Sequence, residues 1–212
     1  MLNLLILASI VFGCCHIYFD WQQNNRACYL FKPLTVICMI VFVAINILST
    51  EQNNSNYSAM LLIGLVFSLA GDCFLMLKPQ KFIAGLISFL IAHIVYCIAF
   101  YQLISPPLHI NALWLIAIPA LGYYGYLYSG LGKLKLPVIV YLSAIVAMTF
   151  LSFNVYHQQS SDIALYGFIG ALFFMLSDSL LALNKFKLPF KLAQPAILST
   201  YYLAQWLIVH SA

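Results

Sequence analysis

Charge is what this sequence has least of. Nine Lys and Arg and five Asp and Glu among 212 residues come to 7%, where a soluble domain carries ~25%. That leaves too little polar surface to face water, which excludes an ordinary soluble globular domain. Also missing are the signatures of several enzyme classes. There is no GxSxG, HExxH, phosphate loop or nucleotide fingerprint, so serine and metal hydrolases and nucleotide enzymes have no support. The six cysteines (Cys14, Cys15, Cys28, Cys38, Cys73 and Cys97) include no CxxC. Most fall in apolar runs, where Cys behaves as a small hydrophobe, and their spacing implies neither a disulfide framework nor a metal site.

What the sequence does have is long apolar runs. Hydrophobic residues make up 64% of the chain. They fall into eight stretches near 2–19, 33–49, 57–77, 82–104, 111–129, 136–153, 162–184 and 192–210. Each is about the length a helix needs to cross ~30 Å of hydrocarbon at ~1.5 Å per residue. The ~10-residue alternation of a membrane strand is absent. Turn-forming and polar residues part the runs: Asn24-Asn25, Gln52–Asn56, Lys78-Pro79, Ser105–Pro107, Gly130–Lys135, His157–Ser161 and Lys185–Lys191. The expectation is an all-α membrane protein with eight transmembrane helices, a single integral domain over residues 1–212.

All nine Lys and Arg fall in odd-numbered connections: Arg26 and Lys32, Lys78 and Lys81, Lys133 and Lys135, then Lys185, Lys187 and Lys191. By the positive-inside rule these face the cytoplasm, which puts both termini on the far side. A bacterial cytoplasmic (inner) membrane is the expected location. The net charge of +4 is then a topology signal with anionic headgroups as its neighbour, and it points to no nucleic-acid partner. The opening MLNLLILASIVFGCC lacks the positive leader of a signal peptide, and the charge alternation needs it as an uncleaved first span.

Two carboxylates break the pattern. Asp20, Glu51 and Asp162 lie in connections or at their borders, whereas Asp72 and Asp178 lie inside spans. An intramembrane carboxylate costs ~2.5–3.5 kcal/mol on insertion scales and persists when it faces a polar cavity. Asp72 is six residues before Lys78 and Asp178 seven before Lys185, so both lie ~9–10 Å inside the same boundary. Spans three and seven run the same way, which allows the two acids to face one cavity. A close pair in low dielectric shares one proton, giving an acid and a base near neutral pH. That suits chemistry through an oxocarbenium-like cation, and equally an aspartic-protease-like attack on an amide. The plainer reading is that each Asp hydrogen-bonds a neighbouring helix.

The two acids are 106 residues apart, half the chain. At that offset Ile63 matches Ile169, Gly64 Gly170, Leu75 Leu181, Leu77 Leu183, Lys81 Lys187 and Tyr96 Tyr202. Four spans per half, as repeats 1–106 and 107–212, would share one orientation. Other in-span polar residues are candidates to line the cavity: His93 and Tyr96 one turn apart, Tyr201 and Gln205 one turn apart with Tyr202 beside them, Asn46, and Ser68 one turn before Asp72. Each serves equally well as helix–helix glue. Lys32-Pro33 is expected to open span two, with Pro33 in the first turn and Lys32 either an orientation charge or a holder of lipid phosphate.

Taken together, Lys32-Pro33, Gly71-Asp72, His93 with Tyr96, Ser177-Asp178 and Tyr201-Tyr202 with Gln205 resemble the YhhN-like lysoplasmalogenase family. The sharpest blocks are GLVFSLAGDCFLML, FIAGLISFLIAHIVY, GALFFMLSDSLLA and TYYLAQWLI. The resemblance implies an eight-span membrane hydrolase that cleaves the vinyl ether of a lysophospholipid to a fatty aldehyde and a glycerophospho-base, without cofactor or metal. It implies Asp72 and Asp178 as the acid and base, with His93, Tyr201 and Gln205 orienting water or the pair. Competing readings are an intramembrane aspartyl protease, a proton-coupled transporter and a non-catalytic lipid-binding protein. Against the first, Ser177 stands where the protease signature has Tyr. Against the second, the two halves lack matching Gly- or Pro-broken spans.

Overall fold

A computed structural model describes residues 2–49, 55–77 and 79–211. Glu51 and Lys78, and the polar run Gln52–Asn54 of the second connection, lie outside the described residues. Among the described residues there are eight α-helices: α1 (Leu2–Trp21), α2 (Asn25–Ser49), α3 (Ser55–Met76), α4 (Phe82–Tyr101), α5 (Asn111–Leu127), α6 (Lys135–Gln159), α7 (Asp162–Phe186) and α8 (Ala193–Val209). Two short 3₁₀ turns, Tyr128–Gly130 and Gly132–Leu134, join α5 to α6. Helix is the outcome expected of apolar segments that must satisfy every backbone group internally.

Six of the helices are long and apolar enough to cross a membrane. α5 and α8, at 17 residues each, are ~25 Å long, at the short end of the range that crosses a ~30 Å core. Eight transmembrane helices were expected; eight apolar helices form among the described residues, and six of them are candidate spans by length and hydropathy. Apolar side chains point outward, with Leu48 87% and Leu115 77% exposed, while Ser68, His93, Thr149, Asn154 and Gln205 are fully buried. That inversion of the soluble pattern, with polar groups facing protein rather than lipid, marks an integral membrane protein.

The helix ends correct several expectations. α2 begins at Asn25, eight residues before the expected start, because Asn24 caps it: the Asn24 side chain accepts from the Ala27 amide at 3.3 Å. Arg26 and Lys32 are therefore helical residues rather than connection residues. Pro33 sits inside α2, not in its first turn, and costs the helix the bond its missing N–H would have made. Asp20 likewise belongs to α1, and His157 to the last turn of α6. α7 starts as read: Ser161 caps the Ala164 amide at 3.2 Å, and Asp162 lies in the first turn, where the helix dipole favours an acid.

The chain divides into two compact units, one ending at Ala99 and the other running Phe100–Ser211. In the first unit α1 and α2 form a hairpin locked by Phe19 stacked on Phe31, ring centroids 5.4 Å apart, and α3 packs on α4 through glycines. A Cβ on Gly71 would meet the Phe89 ring at 2.7 Å, and one on Gly64 would run into Tyr96. Small residues at these points let the two backbones approach. In the second unit α7 is central, packing on both α6 and α8. Gly170 lets α8 come close, since a Cβ there would sit 2.9 Å from the Ile208 amide nitrogen and 3.0 Å from the Ala204 carbonyl oxygen.

Candidate functional site

Each unit holds one of the two in-span carboxylates, and each carboxylate has a directed partner. In the first unit Lys32 Nζ lies 3.0 Å from Asp72 Oδ1, and both side chains are buried. The two helices are pinned at that level by Tyr29, whose hydroxyl donates to the Met76 carbonyl at 2.8 Å. Lys32, expected as an orientation charge or a holder of lipid phosphate, is paired with the Asp72 carboxylate. A buried ion pair of this kind adds little net stability but is costly to break.

Further along α3 and α4 lie more buried polar residues. Ser68 is one turn before Asp72 on α3 and fully buried, and its hydroxyl has no hydrogen-bond partner among the described residues. His93 and Tyr96 on α4 are also fully buried. Phe89 meets Gly71 and Tyr96 meets Gly64, so His93, between them, is level with Ser68. The Phe89 carbonyl, which can only accept, takes a hydrogen bond from His93 Nδ1 at 2.6 Å. That bond fixes the ring and makes Nε2 the atom able to exchange a proton. Asn46 is not beside the ion pair. It lies fourteen residues beyond Lys32 on α2, ~21 Å along the helix.

In the second unit Tyr141 on α6 donates its phenol hydrogen to Asp178 Oδ2 at 2.6 Å. Tyr141 is buried and Asp178 half-buried. Asp178 is braced on both sides. Ser177 donates to the Ile197 carbonyl of α8 at 3.0 Å, and Tyr123 of α5 donates to the Ser179 carbonyl at 2.6 Å. On α8, Gln205 donates to the Tyr201 hydroxyl at 3.3 Å, with Gln205 fully buried. Tyr201 packs edge-on against Phe174 of α7 at 5.6 Å and beside Tyr202 at 5.4 Å. The expected one-turn pairing of Tyr201 with Gln205 is therefore present.

Tyr141 escaped the sequence reading. It is one of 14 tyrosines, and a phenol in an apolar helix is ordinary packing. Its depth was the available signal: six residues past Lys135, it matches Asp178 seven residues before Lys185. The second unit also has an open cavity of about 560 Å³ near Ser105–Pro107, His109, His157 and Gln158. His157 is sixteen residues along α6 from Tyr141, ~24 Å away, so this cavity is not the Asp178 site.

Chemically, the two carboxylates differ in company. An ammonium partner suits a carboxylate that stays charged through a reaction. A phenol partner suits one that takes and gives a proton.

The chain has relatives among known proteins. Residues 27–212 match the model of the YhhN family. The chain is 33% identical over 188 residues to lysoplasmalogenase TMEM86A of Homo sapiens, covering 86% of this chain and 77% of that one. It is 32% identical over 208 residues to lysoplasmalogenase TMEM86B of Sus scrofa, covering 95% and 84%. It is also 21% identical over 196 residues to the uncharacterized membrane protein YhhN of Escherichia coli O157:H7, covering 90% and 87%. No solved structure matches the chain.

Proposed function

The chain belongs to the YhhN family, and from that premise we propose that it is a membrane-embedded hydrolase that cleaves the vinyl ether of a lysoplasmalogen by acid–base chemistry from Asp72 and Asp178. The observation that carries the reading is a pair of in-span carboxylates, each held by a directed partner, in a chain about a third identical to proteins named lysoplasmalogenase.

Asp178 is the acid. Its proton goes to the β-carbon of the vinyl ether, which leaves an oxocarbenium ion at the carbon bonded to oxygen. Asp72, kept as a carboxylate by Lys32, stabilises that cation and takes a proton from the water that adds to it. The hemiacetal then collapses to a fatty aldehyde and a glycerophospho-base, the aldehyde oxygen coming from water. Tyr141 positions Asp178, and Ser177 and Tyr123 hold α7 so that the acid keeps its place. His93 Nε2, Tyr201 and Gln205 orient the water or the glycerol hydroxyl, and Tyr96 sets α4 against α3. The Lys- and Arg-bearing ends of the helices lie on the cytoplasmic face of a bacterial inner membrane, with both termini on the other side.

The test uses protein purified in detergent, a lysoplasmalogen and its saturated-ether analogue, with D₂O as solvent and the aldehyde trapped by reduction. The proposal expects aldehyde only from the vinyl ether, with one deuterium at the carbon next to the carbonyl. Turnover of the saturated ether, or aldehyde without that deuterium, would refute protonation of the double bond.

A further inference from the structure

The α1–α2 hairpin brings together three side chains that lie apart in sequence. His16 and Asp20 are one turn apart on α1, and Cys28 lies one turn into α2. Their ligand atoms, one per residue, all lie within 4.8 Å of one another. His16 is buried; Asp20 and Cys28 are half-buried. None of the three has a part in the acid–base chemistry above. We propose that His16, Asp20 and Cys28 form a binding site for a divalent cation of the zinc class.

The donor chemistry selects that class. An imidazole, a thiolate and one carboxylate are the mixed nitrogen, sulfur and oxygen set that zinc accepts, whereas calcium and magnesium call for oxygen ligands alone. Bonds of ~2.0–2.3 Å around a tetrahedral ion put ligand atoms within ~4 Å of each other. The cluster therefore needs only small side-chain adjustment to close, and three protein ligands leave a fourth position for water.

The scaffold is already set. Only Gln22–Asn24 separate the helices. That turn is fixed by Gln22 and Asn24 amides donating to the Tyr18 and Phe19 carbonyls at 3.1 and 2.9 Å, by a left-handed Gln23 at φ 55, and by the Asn24 cap. Phe31 stacked on Phe19 holds the helices together on both sides of it. Little chain entropy is lost on binding when the ligands are presented this way.

Charge also closes. The nearby cation is Lys32, one turn past Cys28, and its field reaches both His16 and Asp20. That would repel a metal ion were the ammonium unopposed, but Asp72 neutralises it at 3.0 Å. A divalent ion with the Asp20 carboxylate and the Cys28 thiolate then forms a group of zero net charge, which is cheaper to bury than an unpaired ion. Binding releases the Cys28 proton. Both α1 ligands lie before residue 27, where the match to the family model begins, so the site is argued from this chain alone.

The test is a cobalt(II) titration of the full chain in detergent, followed by absorption. The expected result is one cobalt per chain with a thiolate-to-metal charge-transfer band and the visible intensity of a tetrahedral ion, displaced by zinc. Cys28→Ser should abolish the band, and His16→Asn should weaken apparent affinity at least tenfold. Cys15→Ser and Cys73→Ser should leave both unchanged. Each variant is checked for an unaltered melting midpoint without metal, and Asp20→Asn provides a second ligand variant should one of the others misfold. A wild-type protein with no thiolate band at stoichiometric cobalt, or a band that survives Cys28→Ser in folded protein, overturns the proposal. Aldehyde release is not part of the readout, so the result stands apart from the assignment of the hydrolase.

Discussion

The Lys32 ammonium and the Asp72 carboxylate meet at 3.0 Å with both side chains shielded from solvent. Removing one partner strands the other charge, which costs ~3–5 kcal/mol in buried pairs. Lys32→Met should therefore lower the melting midpoint sharply. Lys32→Met combined with Asp72→Leu should recover most of that loss, because an apolar pair of similar volume is close to neutral. Aldehyde release should stay absent in both. A Lys32→Met protein that melts like the parent would show that the pair is not formed in the membrane protein.

Tyr141→Phe removes the donor to Asp178 and keeps the ring. One lost hydrogen bond costs ~1 kcal/mol of stability, so the protein should fold and melt within a few degrees of the parent. The turnover number should drop by about one to two orders of magnitude while KM holds, as for an interaction that matters in the transition state. Steady-state kinetics on a lysoplasmalogen checks this; an unchanged turnover number would remove Tyr141 from the account.

Gly71 and Phe89 set the spacing of α3 and α4. Gly71→Ala places a methyl about 2.7 Å from the Phe89 ring, an overpacking that costs ~1–3 kcal/mol. Phe89→Leu should relieve it, so the double variant should be more stable than Gly71→Ala alone. Thermal melts of the four proteins give the coupling directly, and strict additivity would contradict the contact.

Gln205 and Tyr201 share a hydrogen bond at 3.3 Å inside α8. In a double-mutant cycle of Gln205→Leu and Tyr201→Phe on turnover, the two effects should be less than additive, since either change breaks the same bond. Independent effects would mean that each acts through a different contact.

Much of this was legible in the sequence. Scarce charge identified a membrane protein, and Asp72 and Asp178 stood out because a carboxylate in an apolar helix needs a reason. The matched glycines Gly64 and Gly170 each turned out to mark a close approach to the next helix. Helix ends were less legible. Arg26 and Lys32 looked like connection residues because charge signals water, yet straight-chain residues are good helix formers and Asn24 supplied the cap. Partners were the least legible of all. Spacing along a helix says which residues share a face, but not which neighbour that face meets, so Lys32 was not matched to Asp72 and Tyr141 was not seen at all. The approach of His16 and Asp20 to Cys28 was hidden for the same reason, since it depends on the turn at Gln22–Asn24.

Aldehyde release by the parent protein, Asp72→Asn and Asp178→Asn tests the central claim most directly. Asn keeps the volume of Asp and can still hydrogen-bond, but it cannot cycle a proton. The account predicts that both variants fold, Asp72→Asn with a lowered melting midpoint because it leaves the Lys32 charge unopposed, and that each loses on the order of 10²–10⁴-fold in turnover, the usual weight of a positioned acid or base. Full turnover in either folded variant would contradict it and leave that carboxylate a structural one.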